Sequence, residues 1–187
     1  MRDECMFKKL DILDEKDKRL RKKSEIVSFP LSNTDKKLIE QIITHLTYSQ
    51  IEKYEKMYDL RPGTGLAFPQ LGLLKRIIVI VDEYESGKFN NYVVINPEII
   101  STSKEMIAAD AGEGCLSVNR DVEGHVPRFA RVTVTGFDME GNPIRIRARE
   151  ELSIAFQHEI DHLNGILFYD RINKKKPFFN EYEIRLL

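Results

Sequence analysis

The sequence has little that would cross-link the chain, anchor it in a membrane or target it for export. Its two cysteines, Cys5 and Cys115, are too few for a disulfide framework and are typical of a reducing compartment. The longest strongly apolar run, residues 77–81, is far shorter than the roughly 20 residues of a membrane-spanning helix. No apolar segment follows the first charged residues, so we expect no secretory signal and a cytoplasmic location.

The sequence also lacks an excess of charge of either sign. Its 29 Lys and Arg residues almost balance its 30 Asp and Glu residues, which excludes the strongly basic character of a dedicated nucleic-acid binder. Apolar residues make up 42% of the 187 residues, enough to form a core. We therefore expect a single domain over residues 1–187, with no membrane partner and no direct nucleic-acid binding.

Apolar periodicity predicts a helix on each side of a run of strands. Capping side chains at residues 32–34 precede an apolar stripe of helical period, which predicts a helix over residues 35–48 with an extension to Tyr58. A second helix is predicted over residues 150–163, ending near Gly165. The predicted strands cover residues 77–81, 92–95, 131–138 and 143–149, of which the last two form a hairpin. This order of elements indicates an α+β fold and not a parallel βαβ sheet.

The second predicted helix carries the segment HEIDH at residues 158–162. His158 and His162 lie about 40° apart around a helix and are spaced to bind one metal ion. Glu159 falls within the apolar arc of the helix, where a carboxylate is costly unless it is paired or used. Beside a metal ion, such a carboxylate is placed to take a proton from water. The alternative is two surface histidines and a solvated glutamate.

Two imidazoles do not complete a metal site, and Cys115 is the strongest candidate for the third ligand. It lies among glycines that let the backbone approach closely, and one Cys with two His is a catalytic zinc-type set. A lone cytosolic cysteine is more often a small buried hydrophobe, which is the alternative. Cys5 is a weaker candidate because it lies in a polar terminus expected to fray. His125 is a candidate fourth ligand, which would close the site and make the metal structural.

A third unusual stretch, GTGLAFPQ, covers residues 63–70. Its two alternating glycines fit an edge segment whose backbone pairs with an extended peptide, while the amide of Gln70 points into the site. Turn chemistry alone is the alternative explanation for the glycines.

Together the three stretches resemble the signature motifs of the peptide deformylase family, in the family's order. Residues 63–70 resemble the first motif, EGCLS at residues 113–117 the second, and HEIDH the third. The intervals between them are also close to those of the family. The first motif departs at Phe68, where the family usually has Ala, and we expect the larger ring to narrow or reshape the entrance of the site.

The resemblance implies an α+β fold in which antiparallel β-sheets surround a central metal-bearing α-helix, with an N-terminal helix packed outside. It also implies removal of the N-formyl group from the initiator methionine of nascent bacterial-type polypeptides, with release of formate. Fe²⁺ is the metal usually associated with the family. Thiolate and imidazole ligands suit zinc equally well, so Zn²⁺, Ni²⁺ or Co²⁺ in a purified sample would also fit.

The resemblance assigns a role to each candidate residue. The metal ligands would be Cys115, His158 and His162, with Glu159 as the base. The side-chain N–H of Gln70 and the backbone N–H of Leu116 would hold the oxyanion. Substrate binding would involve Gly65, Glu113 and Arg128, of which the last two resemble a family pair that braces the site. An exposed, unimportant Glu113–Arg128 pair is the alternative.

Two other functions fit part of the pattern. A metalloprotease of the HExxH type would use the same two histidines with a downstream acidic ligand, Glu181 or Glu183. A structural metal module would add Cys115 and His125 to the histidine pair, but it would leave Glu159 and Gln70 without a purpose. For the deformylase, the expected partners are N-formyl-methionyl nascent peptides. The lysine run at residues 174–176 is a candidate for a transient contact with the ribosome, and a solvated turn is the alternative.

Overall fold

The computed structural model describes residues 7–179 and 183–187, so Cys5 and Glu181 lie outside the described residues. The helices are α1 (Asn33–Ser49), α2 (Glu52–Tyr58) and α3 (Glu150–Leu163). The strands are β1 (Gly65–Ala67), β2 (Ile77–Glu85), β3 (Lys88–Thr102), β4 (Met106–Ala108), β5 (Arg128–Phe129), β6 (Arg131–Phe137), β7 (Pro143–Arg149) and β8 (Arg185–Leu186). Short 3₁₀ helices cover Lys18–Arg21, Phe68–Leu71 and Phe168–Arg171.

Within the described part of the chain, the strands form two sheets. The larger sheet has the strand order β1-β2-β3-β6-β7, and every neighbouring pair is antiparallel. In the smaller sheet, β4 pairs antiparallel with β5 and parallel with β8. The predicted α+β class with antiparallel sheets around the second helix is therefore confirmed. No helix in the described ranges is long and apolar enough to cross a membrane.

Strand β2 explains why the larger sheet lies between two helices. Successive side chains of a strand point to opposite faces, and residues 77–81 are apolar without interruption. The odd-numbered side chains of this run pack in one cluster with residues of α1. Ile78 and Ile80 pack in a second cluster with Phe156, Ile160 and Leu163 of α3. Both faces of β2 are thus buried, and the sheet holds α1 and α3 on opposite sides.

Helix α1 covers the predicted residues 35–48, but its predicted extension to Tyr58 is wrong because a separate helix occupies that segment. Its start agrees with the prediction, since the hydroxyl of Ser32 accepts a hydrogen bond from the N–H of Asp35. The helix ends at Ser49, and α2 begins separately at Glu52. At the break, the amide of Gln50 donates to the carbonyls of Gly63 and Val81, at 3.1 and 3.0 Å. These bonds connect the end of α1 to the segment that leads into β1 and to strand β2.

Helix α3 begins where β7 ends and covers residues 150–163, as predicted. The hydroxyl of Ser153 and the amide nitrogen of Gln157 donate to the carbonyl of Phe129, at 2.8 and 3.0 Å. The N–H of Phe129 donates in return to the side-chain oxygen of Gln157, at 3.0 Å. These bonds lie on the side of α3 opposite the apolar cluster. They therefore fix the rotation of the helix about its own axis relative to β5. Both sides of the helix are therefore in contact with protein.

Candidate catalytic site

Three side chains that bind metals well converge beside α3. His158 and His162 lie one turn apart on this helix, and Cys115 comes from the loop between β4 and β5. One ligand atom from each of the three lies within 4.8 Å of the other two. The Sγ atom of Cys115 is 3.3 Å from Nε2 of His162. The structure thus brings together the three ligands that the sequence predicted.

The chemistry of this donor set fits a divalent transition-metal ion. Burial lowers the pKa of His162 well below its ordinary value, which favours the neutral imidazole that binds metals. Nδ1 of His162 is buried and has no hydrogen-bond partner among the described residues. Thiolate and neutral imidazole are ligands that iron and zinc both accept. The cluster therefore supports a bound metal ion.

His158 is held by a chain of buried charged side chains. Its Nδ1 atom lies 2.9 Å from Oε2 of Glu113, so Nε2 remains for a metal ion. The guanidinium of Arg128 donates to both oxygens of Glu113, at 2.7 and 2.9 Å, and to Asp161 at 2.6 Å. Arg171 forms two further hydrogen bonds to Asp161. This series of hydrogen-bonded charged side chains fixes the ring orientation of His158 on the side of the ring opposite Nε2.

The positive and negative charges of these buried side chains compensate one another. Burial alone would raise the pKa of Glu113, but hydrogen bonds from Arg128 and His158 outweigh burial and lower it to about 2. Burial alone would lower the pKa of His158, but its contacts with Cys115 and Glu113 raise it well above the ordinary value. Glu113 is therefore ionised at neutral pH, as a carboxylate that orients a histidine ligand must be.

The assignment of Arg128 to substrate binding requires a correction. Its side chain is 1% exposed, and it does not line the cavity described below, whereas Glu113 does. Arg128 lies behind Glu113 and positions it. Asp161, the buried partner of Arg128, was not predicted to take part in the site. Its place in the sequence is the available signal, because a carboxylate between two metal-binding histidines on a helix packed on both sides needs a cationic partner.

Glu159 is the second buried carboxylate of the site and differs from Glu113. Its side chain is buried at the wall of a cavity, and Oε2 has no hydrogen-bond partner among the described residues. Burial raises its pKa to about 7, with smaller effects of the surrounding charges. A carboxyl group whose pKa lies near neutral pH can both accept and donate a proton, which is the property required of a general acid–base.

Gly65 provides the space that Glu159 occupies. A Cβ atom at position 65 would lie 2.4 Å from Oε1 of Glu159 and 2.8 Å from its Cγ and Cδ atoms. The sequence predicted that a substrate backbone would need this space. In the structure, the nearest group is the carboxylate of Glu159, so the glycine is required within the protein itself.

Gln70 is oriented by two hydrogen bonds. Its side-chain oxygen accepts from the N–H of Ala67 at 2.8 Å, so its NH₂ group points the other way. That group donates to the hydroxyl of Ser117 at 3.2 Å and lies 3.7 Å from Sγ of Cys115. The amide donor therefore lies beside the metal ligands. Ser117, which belongs to the second motif, was not predicted to contact it.

A cavity of about 500 Å³ gives access to these groups. Its walls include the segment before and within β1, the loop that carries Cys115, and one face of α3. The residues that line it include Gly63, Thr64, Gly65, Gln70, Ile80, Glu113, Cys115, Leu116, Leu152, Ala155, His158 and Glu159. Because β1 is an edge strand of the larger sheet, one side of its backbone is not paired with another strand of that sheet.

The expectation that Phe68 narrows or reshapes the entrance is wrong. Phe68 is 0% exposed and packs in the apolar cluster between α1 and the sheet, with Leu31 and Ile39. It is not among the residues that line the cavity. The side chain of Ala67 packs on the opposite side, in the cluster with α3. The chain therefore directs the larger ring away from the site.

His125 is not a fourth ligand of the cluster. The metal-ligand group found among the described residues contains only Cys115, His158 and His162. Nδ1 of His125 accepts a hydrogen bond from the N–H of Phe179 at 3.0 Å, and its ring packs against Phe178 and Phe179. These contacts give His125 a local structural role and argue against the closed structural site.

A family model described as polypeptide deformylase matches residues 9–178. The chain belongs to the peptide deformylase family. Two curated relatives, a peptide deformylase of Oceanobacillus iheyensis and peptide deformylase 2 of Geobacillus stearothermophilus, are 46% and 45% identical to it. Each aligns over 168 residues, which cover 90% of this chain and 92% and 91% of the respective relatives.

Solved structures of deformylases share the fold. The crystal structure of peptide deformylase from Thermus thermophilus matches with a TM-score of 0.73 at 32% identity, covering 90% of this chain and 88% of that chain. The Thermotoga maritima enzyme matches with a TM-score of 0.70 at 32% identity, covering 89% and 99%. The predicted family and the predicted class, a metal-dependent hydrolase, are therefore confirmed. The metalloprotease alternative is not favoured.

Proposed function

We propose that this deformylase removes the N-formyl group from the initiator methionine of newly synthesised polypeptides and releases formate. One observation carries the proposal: three metal-binding side chains converge beside Glu159, a buried carboxylate whose Oε2 atom has no partner among the described residues. A structural metal site would need no such carboxylate. A hydrolase needs one, because a proton must move from water to the departing amine.

Cys115, His158 and His162 would hold one divalent ion. Such an ion, when bound, polarises a carbonyl group and lowers the pKa of water. We infer that Fe²⁺ is the ion of the working enzyme, as in the family that the sequence resembles. Because the same three ligands suit Zn²⁺, and also accept Ni²⁺ or Co²⁺, a purified sample is expected to hold any of these.

Glu159 would move the proton. Its pKa of about 7 makes it a base for the attacking water and then an acid for the leaving group. The water oxygen bonds to the formyl carbon, and the C–N bond to the methionine nitrogen breaks. The proton that Glu159 took from water passes to that nitrogen, and the hydroxyl proton of the resulting formic acid also ends on the amine, so the products are formate and a protonated amino group.

Gln70 and Leu116 would stabilise the negative charge that develops on the formyl oxygen. The side-chain oxygen of Gln70 accepts from the N–H of Ala67, and its NH₂ group donates to Ser117, so the NH₂ group is already oriented toward Cys115. The backbone N–H of Leu116 is the proposed second donor. Donors fixed before the reaction stabilise developing charge without a reorganisation cost at the moment of reaction.

The substrate backbone would extend along the edge of β1. Thr64 and Gly65 line the cavity there, and an edge strand offers backbone groups to an extended peptide. Apolar side chains of the cavity wall, from Ile80, Leu152 and Ala155, suit a methionine side chain. Glu113 lines the same cavity, so its contact with substrate remains part of the proposal.

The proposed compartment is the cytoplasm, where N-formylated chains emerge from bacterial-type ribosomes. The lysine run at residues 174–176 is exposed and is proposed to make a transient ribosome contact. Lys176 also pairs with Glu183.

The variant Glu159→Gln tests the proposed function. It keeps the size and the polarity of the side chain but removes the proton acceptor, so kcat for formate release from a formyl-methionyl peptide should fall by on the order of a hundredfold or more. Metal content, measured on the same sample, should equal that of the wild type. Turnover near the wild-type value would limit Glu159 to a structural role, and loss of metal would make it a ligand or a support for one.

A further inference from the structure

Arg61 reaches from the segment before β1 to the loop that carries Cys115. Its guanidinium donates to the carbonyl of Cys115 at 3.0 Å and to that of Val118 at 3.1 Å. It also donates to the side-chain oxygen of Asn119, at 2.5 Å, and lies 3.4 Å from the carbonyl of Leu116. One guanidinium thus contacts four residues of the loop segment 115–119.

The bond to Cys115 has a consequence for the next residue. The carbonyl of Cys115 and the N–H of Leu116 belong to one planar peptide unit, and in a trans unit they point in opposite directions. A donor that fixes the carbonyl therefore fixes the direction of the N–H. The carbonyl of Cys115 also accepts from the N–H of Val118 at 3.0 Å, so the peptide unit is held by two donors.

The N–H of Leu116 has no hydrogen-bond acceptor among the described residues. Leu116 lines the catalytic cavity, and its side chain packs against Gly63, where a Cβ atom would lie 2.8 Å from Cδ1 of Leu116. The donor is therefore held from both sides and remains free for an acceptor that is not part of the described chain.

We propose that Arg61 is a positioning residue that aims and strengthens the N–H of Leu116 as an oxyanion donor. Positive charge at the Cys115 carbonyl polarises the peptide unit, because hydrogen bonds in a chain strengthen one another. This inference rests on the proposed function, in which the N–H of Leu116 binds the oxyanion. It predicts an effect of Arg61 on the transition state and not on substrate binding.

The experiment compares Arg61→Met and Arg61→Lys with Arg120→Met as the matched control. Arg120 directly follows residues 115–119 in the same loop, but within the described residues it bonds to the carboxylate of Glu15 and to no carbonyl of that segment. In each variant we would measure kcat and KM for formate release from a formyl-methionyl peptide, together with metal content. The amide ¹H–¹⁵N signal of Leu116, recorded on zinc-loaded protein, reports the donor directly.

We expect kcat to fall about 10- to 100-fold in Arg61→Met, somewhat less than the loss on removing an oxyanion donor outright. KM should stay within about twofold, and the metal content should be unchanged. The amide signal of Leu116 should shift in this variant and not in Arg120→Met. Arg61→Lys should recover part of kcat, because an ammonium keeps the charge but has no planar fork of donors. If Arg61→Met does not fold, the same measurements on Arg61→Lys test the positioning role of Arg61.

Several results would overturn the proposal. A rise in KM at unchanged kcat would mean that Arg61 binds substrate, and loss of metal would mean that it supports the ligand Cys115. An equal loss of kcat in Arg120→Met would show a general effect of charge. If the wild type releases formate and Arg61→Met keeps its kcat, only the positioning role fails. If the wild type releases no formate, the proposed function fails and this inference fails with it.

Discussion

At the scale of single residues, the site depends on Glu159 and Gly65, whose roles are set by the groups packed around them. Glu159 is buried, its Oε2 atom accepts no hydrogen bond from the part of the chain that the structure describes, and Gly65 lies against its carboxylate. A buried, unpaired carboxylate costs stability, and its pKa rises as a result. The same burial gives Glu159 a pKa suited to proton transfer, so the cost in stability and the function have one cause.

Gly65→Ala should impair catalysis by displacing Glu159. Its Cβ atom would lie too close to Oε1, so the carboxylate must shift, and a displacement of about 1 Å at a catalytic group can cost as much as a hundredfold in rate. We expect a clear fall in kcat with full metal content. The check is a double-mutant cycle: in the Glu159→Gln background, Gly65→Ala should cost little more. An equal cost in both backgrounds would instead assign Gly65 to contact with the substrate.

Cys115→Ser should lose both metal and activity, because a protonated hydroxyl is a poor substitute for a thiolate ligand. His125→Ala is the matched comparison and should retain the metal, since His125 contacts Phe179 and not the ligand cluster. Metal analysis of the two purified variants is the measurement. A fully loaded and active Cys115→Ser protein would remove Cys115 from the site.

The candidate metal-binding residues were easier to predict from the sequence than the residues that position them. The spacing of His158 and His162 fixes their shared helix face, whatever the rest of the fold. Arg128 and Asp161 are different, because their contact joins β5 to α3, and spacing within one element cannot reveal a contact between two. The direction of Phe68 was mispredicted for a similar reason: it depends on which helix covers which face of the sheet.

At the scale of elements, α3 carries most of the site. It carries two of the proposed metal ligands, the proposed proton carrier and the partner of Arg128. Hydrogen bonds to β5 on one side and apolar contacts with the sheet on the other fix its position. The end of α3 was predictable, since Gly165 follows the helix with a positive φ of 74°. The break between α1 and α2 was not, because it depends on bonds from Gln50 to distant carbonyls.

His45, a buried residue of α1, should make the free energy of unfolding depend on pH. This residue is buried, and its Nδ1 atom accepts a hydrogen bond from the N–H of Leu10 at 3.3 Å. Burial, followed by the charge of Lys9, lowers its pKa in the folded protein. As the pH falls through about 6.5, the ordinary value for histidine, the unfolded chain binds a proton that the folded chain does not bind. The free energy of unfolding should therefore fall.

The measurement for His45 is urea unfolding of the wild type and His45→Gln at pH 7.5, 6.5 and 5.5. The variant should lose less stability on acidification, since glutamine keeps an acceptor but does not titrate. Other histidines contribute equally to both proteins and cancel in the comparison. Parallel pH profiles for the two proteins would mean that the pKa of His45 is the same in the folded and the unfolded protein.

At the scale of the whole molecule, the site exists only because distant segments meet. Gln70 follows β1 at the edge of the larger sheet, Cys115 lies in the loop between β4 and β5, and Glu159 lies on α3. The antiparallel sheet was predictable from alternation and turn residues. The parallel pairing of β4 with β8 was not, because it joins short strands far apart in the chain that have no alternation long enough to identify.

The central claim is that this assembly hydrolyses a formyl amide and not an internal peptide bond. The most direct measurement offers the metal-loaded wild-type protein two substrates, a formyl-methionyl peptide and the same peptide without the formyl group. We expect formate release from the first, at a rate that depends on the metal, and no cleavage of the second. Cleavage of the unformylated peptide without formate release from its formylated counterpart would contradict the account.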